Sequence, residues 1–238
     1  MERLLPLPLL ALAAPHANAQ ATNPPLPPCT YEDRAAQVNP AGDGRFTVLD
    51  TVMRLPEDFV PSGLVPLREA GFADDRLVRD VIIPDLTALR EAAERDGIAL
   101  EIFSAYRSYA YQAETFAYWV NVQGEEAARA TSARPGHSEH QLGTAIDVGT
   151  AGGPAPWDLD DWALTPEGAW MQTQAWRYGF VLSYPRDSRD VTCYAYEPWH
   201  WRWVGQEMAA TIREAGVPPR VYLWHARATM SLEDPHDP

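Results

Sequence analysis

The sequence contains no lysine. Lys and Arg together number 19, all of them arginine, against 33 acidic residues, and the net charge is −14 over 238 residues. A chain without lysine forms no Schiff base and no Ser–Lys nucleophile pair, which excludes serine hydrolases of the S-x-x-K kind. No G-x-S-x-G elbow occurs either, which argues against a Ser-His-Asp hydrolase. The acidic surplus makes nucleic acid and anionic lipid poor partners, and neither is expected. Cysteine is scarce, with only Cys29 and Cys193. Internal repeats are missing, and beyond residue 20 so is any apolar run long enough to cross a bilayer.

What is present starts with a leader. Arg3 precedes an apolar run from Leu4 to Ala14, and Ala17-Asn18-Ala19 supplies a small-x-small cleavage site. This pattern predicts a secretory signal peptide over residues 1–19, with Gln20 first in the mature chain. Export, periplasmic or extracellular and without a membrane anchor, is the expectation. In an exported protein the even cysteine count predicts a Cys29–Cys193 disulfide. The competing reading makes Cys193 a free nucleophile near His200, and a count of free thiols separates the two.

Nine Trp, ten Tyr and six Phe supply ample core material. Residues 20–45, rich in Pro, Asn, Ala and Gly, read as an extended arm. "RFTVLDTVMRLP" reads as a short strand and "PSGLVPL" as a loop. A helical pattern runs from Asp75 to Asp96; its stronger half opens at Pro84, buries Leu86, Leu89, Ala92 and Ala93, and stops at Gly97. "IALEIFSA" reads as a buried strand. The next helix has an inner stripe of Ala110, Ala113, Phe116, Ala117 and Val120 and ends at Gly124. After a further helical turn over 125–133, Thr165 caps a helix begun by Pro166 and ended near Gly179. "FVLSYP" and "YEPWHWRWV" read as strands. A helix over 205–216 closes the domain, and 217–238 reads as a loose tail. Helices and strands mix without regular alternation, so the class is α+β, with one domain over 46–216.

The chemistry concentrates in "SARPGHSEHQLGTAIDVGT" (132–150). A catalytic zinc takes three protein ligands and keeps one position open. His140 and Asp147 are seven apart, which on an unbroken strand places them on opposite faces. Gly143 can break the run so that both reach one point. In "EPWHWRWV", His200 and Arg202 share one face and Trp199, Trp201 and Trp203 the other, so the indoles face a core and His200 faces a cleft. Pro198 breaks the ladder, and a kink there turns Glu197 toward the same cleft as a proton acceptor. Arg107, at a strand-to-helix junction, is placed to stabilise a developing oxyanion. On spacing alone, structural readings stand beside this one. His137 and His140 can pair on one helical turn, Glu197 can ion-pair with Arg202, and Arg107 can pair with Glu114.

"SEHQLGTAID" fits S-x-H-x(2)-G-x-A-x-D, "EPWH" fits E-x-x-H, and "SAYRSYAYQ" lies upstream of both. With these three motifs in order, residues 46–216 resemble the VanY-type D-Ala-D-Ala carboxypeptidases, zinc D,D-peptidases. The resemblance implies a small antiparallel sheet flanked by helices, with one Zn2+ in a groove. It implies His140, Asp147 and His200 as metal ligands, Glu197 as catalytic base, and Arg107 as the arginine that engages substrate and oxyanion. It also implies that Ser138 and Gln112 contact the substrate. His137 matches no family ligand and reads as a rim residue or a support behind the ligands.

The function implied is that of an exported, monomeric zinc metallopeptidase. It would remove the C-terminal D-Ala from peptidoglycan stem peptides ending in D-Ala-D-Ala. The alternatives are an L-Ala-D-Glu endopeptidase of the same fold and a non-catalytic zinc-containing cell-wall-binding module. Glu197 separates the last, since a binding module needs no carboxylate three residues before a ligand histidine.

Overall fold

The computed structural model describes residues 24–38 and 42–233. The predicted leader 1–19 lies outside them, as do the ends of the predicted arm and tail. In chain order the elements are β1 (Arg34–Ala35), β2 (Met53–Arg54), β3 (Leu64–Pro66), β4 (Leu77–Arg79), α1 (Ile83–Arg95), β5 (Leu100–Ser104), α2 (Tyr109–Gln123) and α3 (Glu125–Thr131). There follow β6 (Ala145–Thr150), α4 (Pro166–Gln174), β7 (Phe180–Leu182), α5 (Arg189–Thr192), β8 (His200–Trp203), α6 (Gln206–Ala215) and α7 (Pro219–Glu233).

The central sheet has four strands in the order β5-β6-β8-β7, every neighbouring pair antiparallel. β1 and β2, and separately β3 and β4, form two small pairs beside it. The architecture is α+β, a small antiparallel sheet flanked by helices. The register of the central sheet juxtaposes polar residues distant in the chain: Asp147 of β6 lies opposite Ser104 of β5 on one side and His200 of β8 on the other.

One face of the sheet carries the main core. Ile102, Ile146, Val148, Trp201 and Trp203 pack there against Leu86, Leu89, Ala92 and Ala93 of α1. That helix has its proline in the first turn and buries the stripe its periodicity defines. Thr165 caps α4 by accepting from the N–H of Gly168. A second core joins Val48, Val52 and Met53 to Val181, Val204, Met208, Ile212 and Leu223.

Five segments differ from their sequence reading. Leu77–Arg79, read as the start of a helix from Asp75, is strand β4, and α1 begins only at Ile83, because these residues pair with β3. Residues 45–56 give only the two-residue β2, because buried Asp50 accepts from the N–H groups of Val52 and Met53 and bends the chain into a turn. Leu64–Pro66, read as loop, pairs with β4. Helix α2 buries only Gln112; its apolar positions are half-buried or exposed, because it packs chiefly on α3 and not on the sheet. Residues 219–233 form a helix and not a loose tail. Leu223 enters the second core, and Arg220 meets buried Asp50 at 2.6 Å while donating to the carbonyls of Val191 and Pro27.

Candidate metal centre

Three local devices bring the polar side chains together. Ser138 starts a single 3-10 turn over Glu139–Leu142 by accepting from the N–H of His140. Gly143 ends the turn at φ 72°, in the left-handed region. The chain then enters β6, so His140 and Asp147 reach the same point although they are seven residues apart. The antiparallel register with β8 supplies His200, and the turn at Glu197–His200, closed by the His200 N–H on the Glu197 carbonyl, supplies Glu197.

One ligand atom from each of His140, Asp147 and His200 lies within 4.8 Å of the others, and all three residues are buried. His140 Nε2 is 3.2 Å from Asp147 Oδ2, and His200 Nδ1 is 3.1 Å from Asp147 Oδ1. Glu197 Oε2 is 4.0 Å from His200 Nδ1. The outward nitrogens are both occupied, His140 Nδ1 by the carbonyl of Ala105 (2.7 Å) and His200 Nε2 by Glu139 Oε2 (3.0 Å). Each ring therefore presents its other nitrogen to the common point, the arrangement metal-binding histidines adopt. Buried His140 Nε2 has no hydrogen-bond partner. That orphaned atom, facing a carboxylate and a second imidazole, fits a bound cation.

The electrostatics agree. Burial opposes ionisation of Asp147, yet the two histidines hold its carboxyl well below the usual range. His140 is pushed down to about 4 by burial and by Arg107. Burial works against a charged His200 too, but its hydrogen bonds to the accepting carboxylates of Asp147 and Glu139 raise it to about 10. Glu197, desolvated and facing two further carboxylates, is raised to about 8. Asp147 and Glu139 are thus both held ionised, and between them positive charge is favoured at His200.

The remaining predicted residues fall around this cluster. The N–H of Arg107 bonds the carbonyl of His140, and its buried Nε has no partner. Gln112 is buried, with Nε2 donating to the carbonyl of Ala133 and Oε1 unpaired. Two sequence readings are corrected. Arg202 pairs not with Glu197 but with Glu139, at 2.8 Å, and donates to the carbonyls of Gly44, Arg45 and Thr47. His137 neither lines the rim nor supports a ligand. It is buried against the carbonyl of Asp50 (2.7 Å) and Asp33 Oδ1 (3.2 Å). Cys29 and Cys193 form a disulfide, which leaves no free cysteine among the described residues and no thiol nucleophile. The residue that sequence reasoning passed over is Glu139. Its position between Ser138 and His140 was the available signal, but its direction, toward His200 and Arg202, is set by the sheet.

Residues 75–206 match the family model for VanY, D-alanyl-D-alanine carboxypeptidase. The chain belongs to this family. Bacillus subtilis YodJ is 37% identical over 165 residues, covering 67% of this chain and 60% of that protein. The chain spans 60% or less of the length of the curated relatives it matches. The solved LdcB LD-carboxypeptidase superposes with a TM-score of 0.66 at 30% identity, covering 79% of this chain and 88% of that one. A mutant of the vancomycin resistance D,D-pentapeptidase VanY, solved with Zn(II), superposes at 0.64 and 28% identity, covering 75% and 98%. The fold is therefore that of the VanY zinc D,D-peptidases.

Proposed function

We propose that this protein is an exported, monomeric zinc D,D-carboxypeptidase that removes the C-terminal D-Ala from peptidoglycan stem peptides. The observation that carries the reading is the convergence of His140, Asp147 and His200 beside Glu197 in a member of this family. The leader pattern and the disulfide support export. Among the described residues no helix is long and apolar enough to cross a membrane.

The donor set fits one Zn2+, held by His140, Asp147 and His200, which when bound supplies a Lewis acid and lowers the pKa of its water to about 7. Glu197 would take a proton from the attacking water and return it to the amide nitrogen, so that the amine of the departing D-Ala leaves neutral and not as an amide anion. Burial, which raises the affinity of Glu197 for a proton, suits it to both halves of that transfer. Arg107 meets the carbonyl oxygen as negative charge grows on it. The Ser138 hydroxyl, an acceptor toward His140 N–H, keeps its own proton for the substrate's terminal carboxylate. Gln112 Oε1 offers an acceptor to a substrate N–H.

The test is D-Ala release from a pentapeptide ending in D-Ala-D-Ala, before and after chelation and after zinc is restored. Release should vanish and return. Glu197→Gln should keep zinc and lose about 100- to 10,000-fold in rate; undiminished turnover would refute the base assignment. The likeness to LdcB supports a second reading, cleavage of an L,D bond. Release from a tetrapeptide with none from the pentapeptide would select it. Protein sequencing of the secreted form should begin at Gln20.

A further inference from the structure

The two edges of the central sheet are finished differently. Beside β5, the carbonyl of Ile102 accepts from Arg76 at 3.1 Å, and the N–H of Tyr106, just past the strand, donates to the carbonyl of Leu77. The outer edge of β7 has no such cover. The N–H of Ser183 donates to the carbonyl of His200, and the N–H of Val204 to the carbonyl of Gly179. Inward rungs alternate along an antiparallel strand, so Val181 also faces β8, opposite Arg202, while the backbone groups of Phe180 and Leu182 point away from the sheet. Phe180 is fully buried. Leu182 is half-buried, and its outward N–H and C=O have no protein partner among the described residues. An unpaired rung on a sheet edge is a template for another strand.

Along this edge lies a groove of about 380 Å³, lined by Trp176, Leu182, Pro185, Ile212, Val217 and Pro218. That is room for one large side chain and the backbone that carries it. Arg213 of α6 also lines the groove and lies over the Trp176 ring, 5.0 Å from its centroid. Arg177 lies over the same ring at 4.9 Å. Both arginines are exposed, and neither has a carboxylate within ion-pair distance among the described residues. Exposed arginines elsewhere, such as Arg34, Arg68 and Arg186, do. In a chain of net charge −14, two arginines left without a counter-charge beside an apolar groove suit an acidic ligand.

We propose that this groove binds an extended, acidic segment of another protein by strand addition to β7. The backbone of the segment pairs with the N–H and C=O of Leu182, an apolar side chain fills the groove, and flanking carboxylates meet Arg213 and Arg177. The free backbone rung favours a peptide over a small organic acid, which has no strand to add. A second copy of this chain, paired β7 to β7 about a twofold axis, would bring four arginines together with no acid between them. β7 lies beyond β8, which carries His200, and two strands from β6, which carries Asp147, so the occupant leaves the metal centre open. The proposed function is not needed for this inference.

The experiment is calorimetric titration of the disulfide-bonded protein with the blocked peptide Glu-Val-Phe-Val-Glu. Saturable binding is expected, weaker by about tenfold or more for Glu-Val-Ala-Val-Glu, which leaves the groove unfilled. A copy methylated on its backbone nitrogens cannot donate to the Leu182 carbonyl and should bind about tenfold more weakly than the parent. The double variant Arg177→Glu, Arg213→Glu should lose the Glu-ended peptide and take up Lys-Val-Phe-Val-Lys, an exchange that damage to the fold would not produce. Arg213→Lys should bind the Glu-ended peptide nearly as the wild type does. No binding up to about 1 mM peptide, equal affinity for the methylated copy, or an unchanged charge preference in the double variant overturns the proposal. Sedimentation velocity tests the other occupant: a dimer that the double variant dissolves would place a second copy in the groove and overturn the peptide. Every readout is binding or assembly, so a failure of D-Ala release would count against the proposed function alone.

Discussion

Glu139 Oε2 accepts from His200 Nε2 at 3.0 Å while its Oε1 accepts from Arg202 at 2.8 Å. The same Oε2 also accepts from the Ser183 hydroxyl at 2.6 Å. Arg202, in turn, is fully buried and tied to three backbone carbonyls. A carboxylate held at both oxygens fixes the imidazole beside it, so His200 Nδ1 is aimed at Asp147 without freedom to turn.

Glu139 is therefore predicted to set metal affinity without touching the metal. Glu139→Gln should weaken zinc binding by about 10- to 100-fold, read by competition with a coloured chelator. The metal-free variant should also melt lower, because Arg202 loses its buried counter-charge. Unchanged zinc affinity would mean that the hydrogen bond orders His200 but does not tune it.

Arg107 has a buried Nε without a partner and influences both His140 and Glu197. An arginine left unpaired beside a cleft is expected to find its partner in the reacting substrate. Arg107→Ala should lower kcat by about 100- to 1000-fold, with Arg107→Lys intermediate. A loss confined to KM would assign it to ground-state binding alone.

The Cys29–Cys193 bridge spans 164 residues and pins the N-terminal arm where Arg220 and Trp224 of α7 also hold it, through the carbonyls of Pro27 and Pro24. Replacing both cysteines by serine should cost about 2–5 kcal/mol in urea unfolding, since so long a loop is then unconstrained in the unfolded chain. A cost below that range would show that the arm's polar contacts suffice.

His137 gives stability a pH dependence. Burial first, then the Arg134 guanidinium, holds it below its ordinary value of 6.5, against the Asp50 carbonyl and the Asp33 carboxylate, which favour its charge. Above pH 6.5 folded and unfolded chains both carry a neutral ring. As pH falls below 6.5 the unfolded chain takes the proton more readily, so stability declines until the folded ring also titrates. Asp33, held low despite desolvation by Arg134 and His137, adds a loss only below its ordinary 3.8. Melting temperature should drop from pH 7 to pH 5, and the drop should shrink in His137→Gln. Parallel melting curves would exclude this histidine as the cause.

Local patterns were readable where the chain decides alone. The stripe of α1, the Thr165 cap and the alternation of His200 and Arg202 against Trp201 and Trp203 depend on periods of 3.6 and 2, which no neighbour needs to supply. Helix α2 misled because its apolar residues have helical spacing, while the element that covers them is chosen by the fold. The helix over 219–233 was hidden by Pro218 and Pro219, which read as breakers, although a proline in a first helical turn is favourable.

The candidate site divides the same way. The sequence by itself determined the donor types, the turn at Gly143 and the absence of lysine, because these are properties of residues and of short stretches of backbone. Only the tertiary structure decided that Asp147 stands opposite His200, that Glu139 and not Glu197 answers Arg202, and that His137 turns away to Asp50. Each of these is a choice among partners 53 or more residues away in the chain, made by strand register and burial. A local pattern carries no information on such choices.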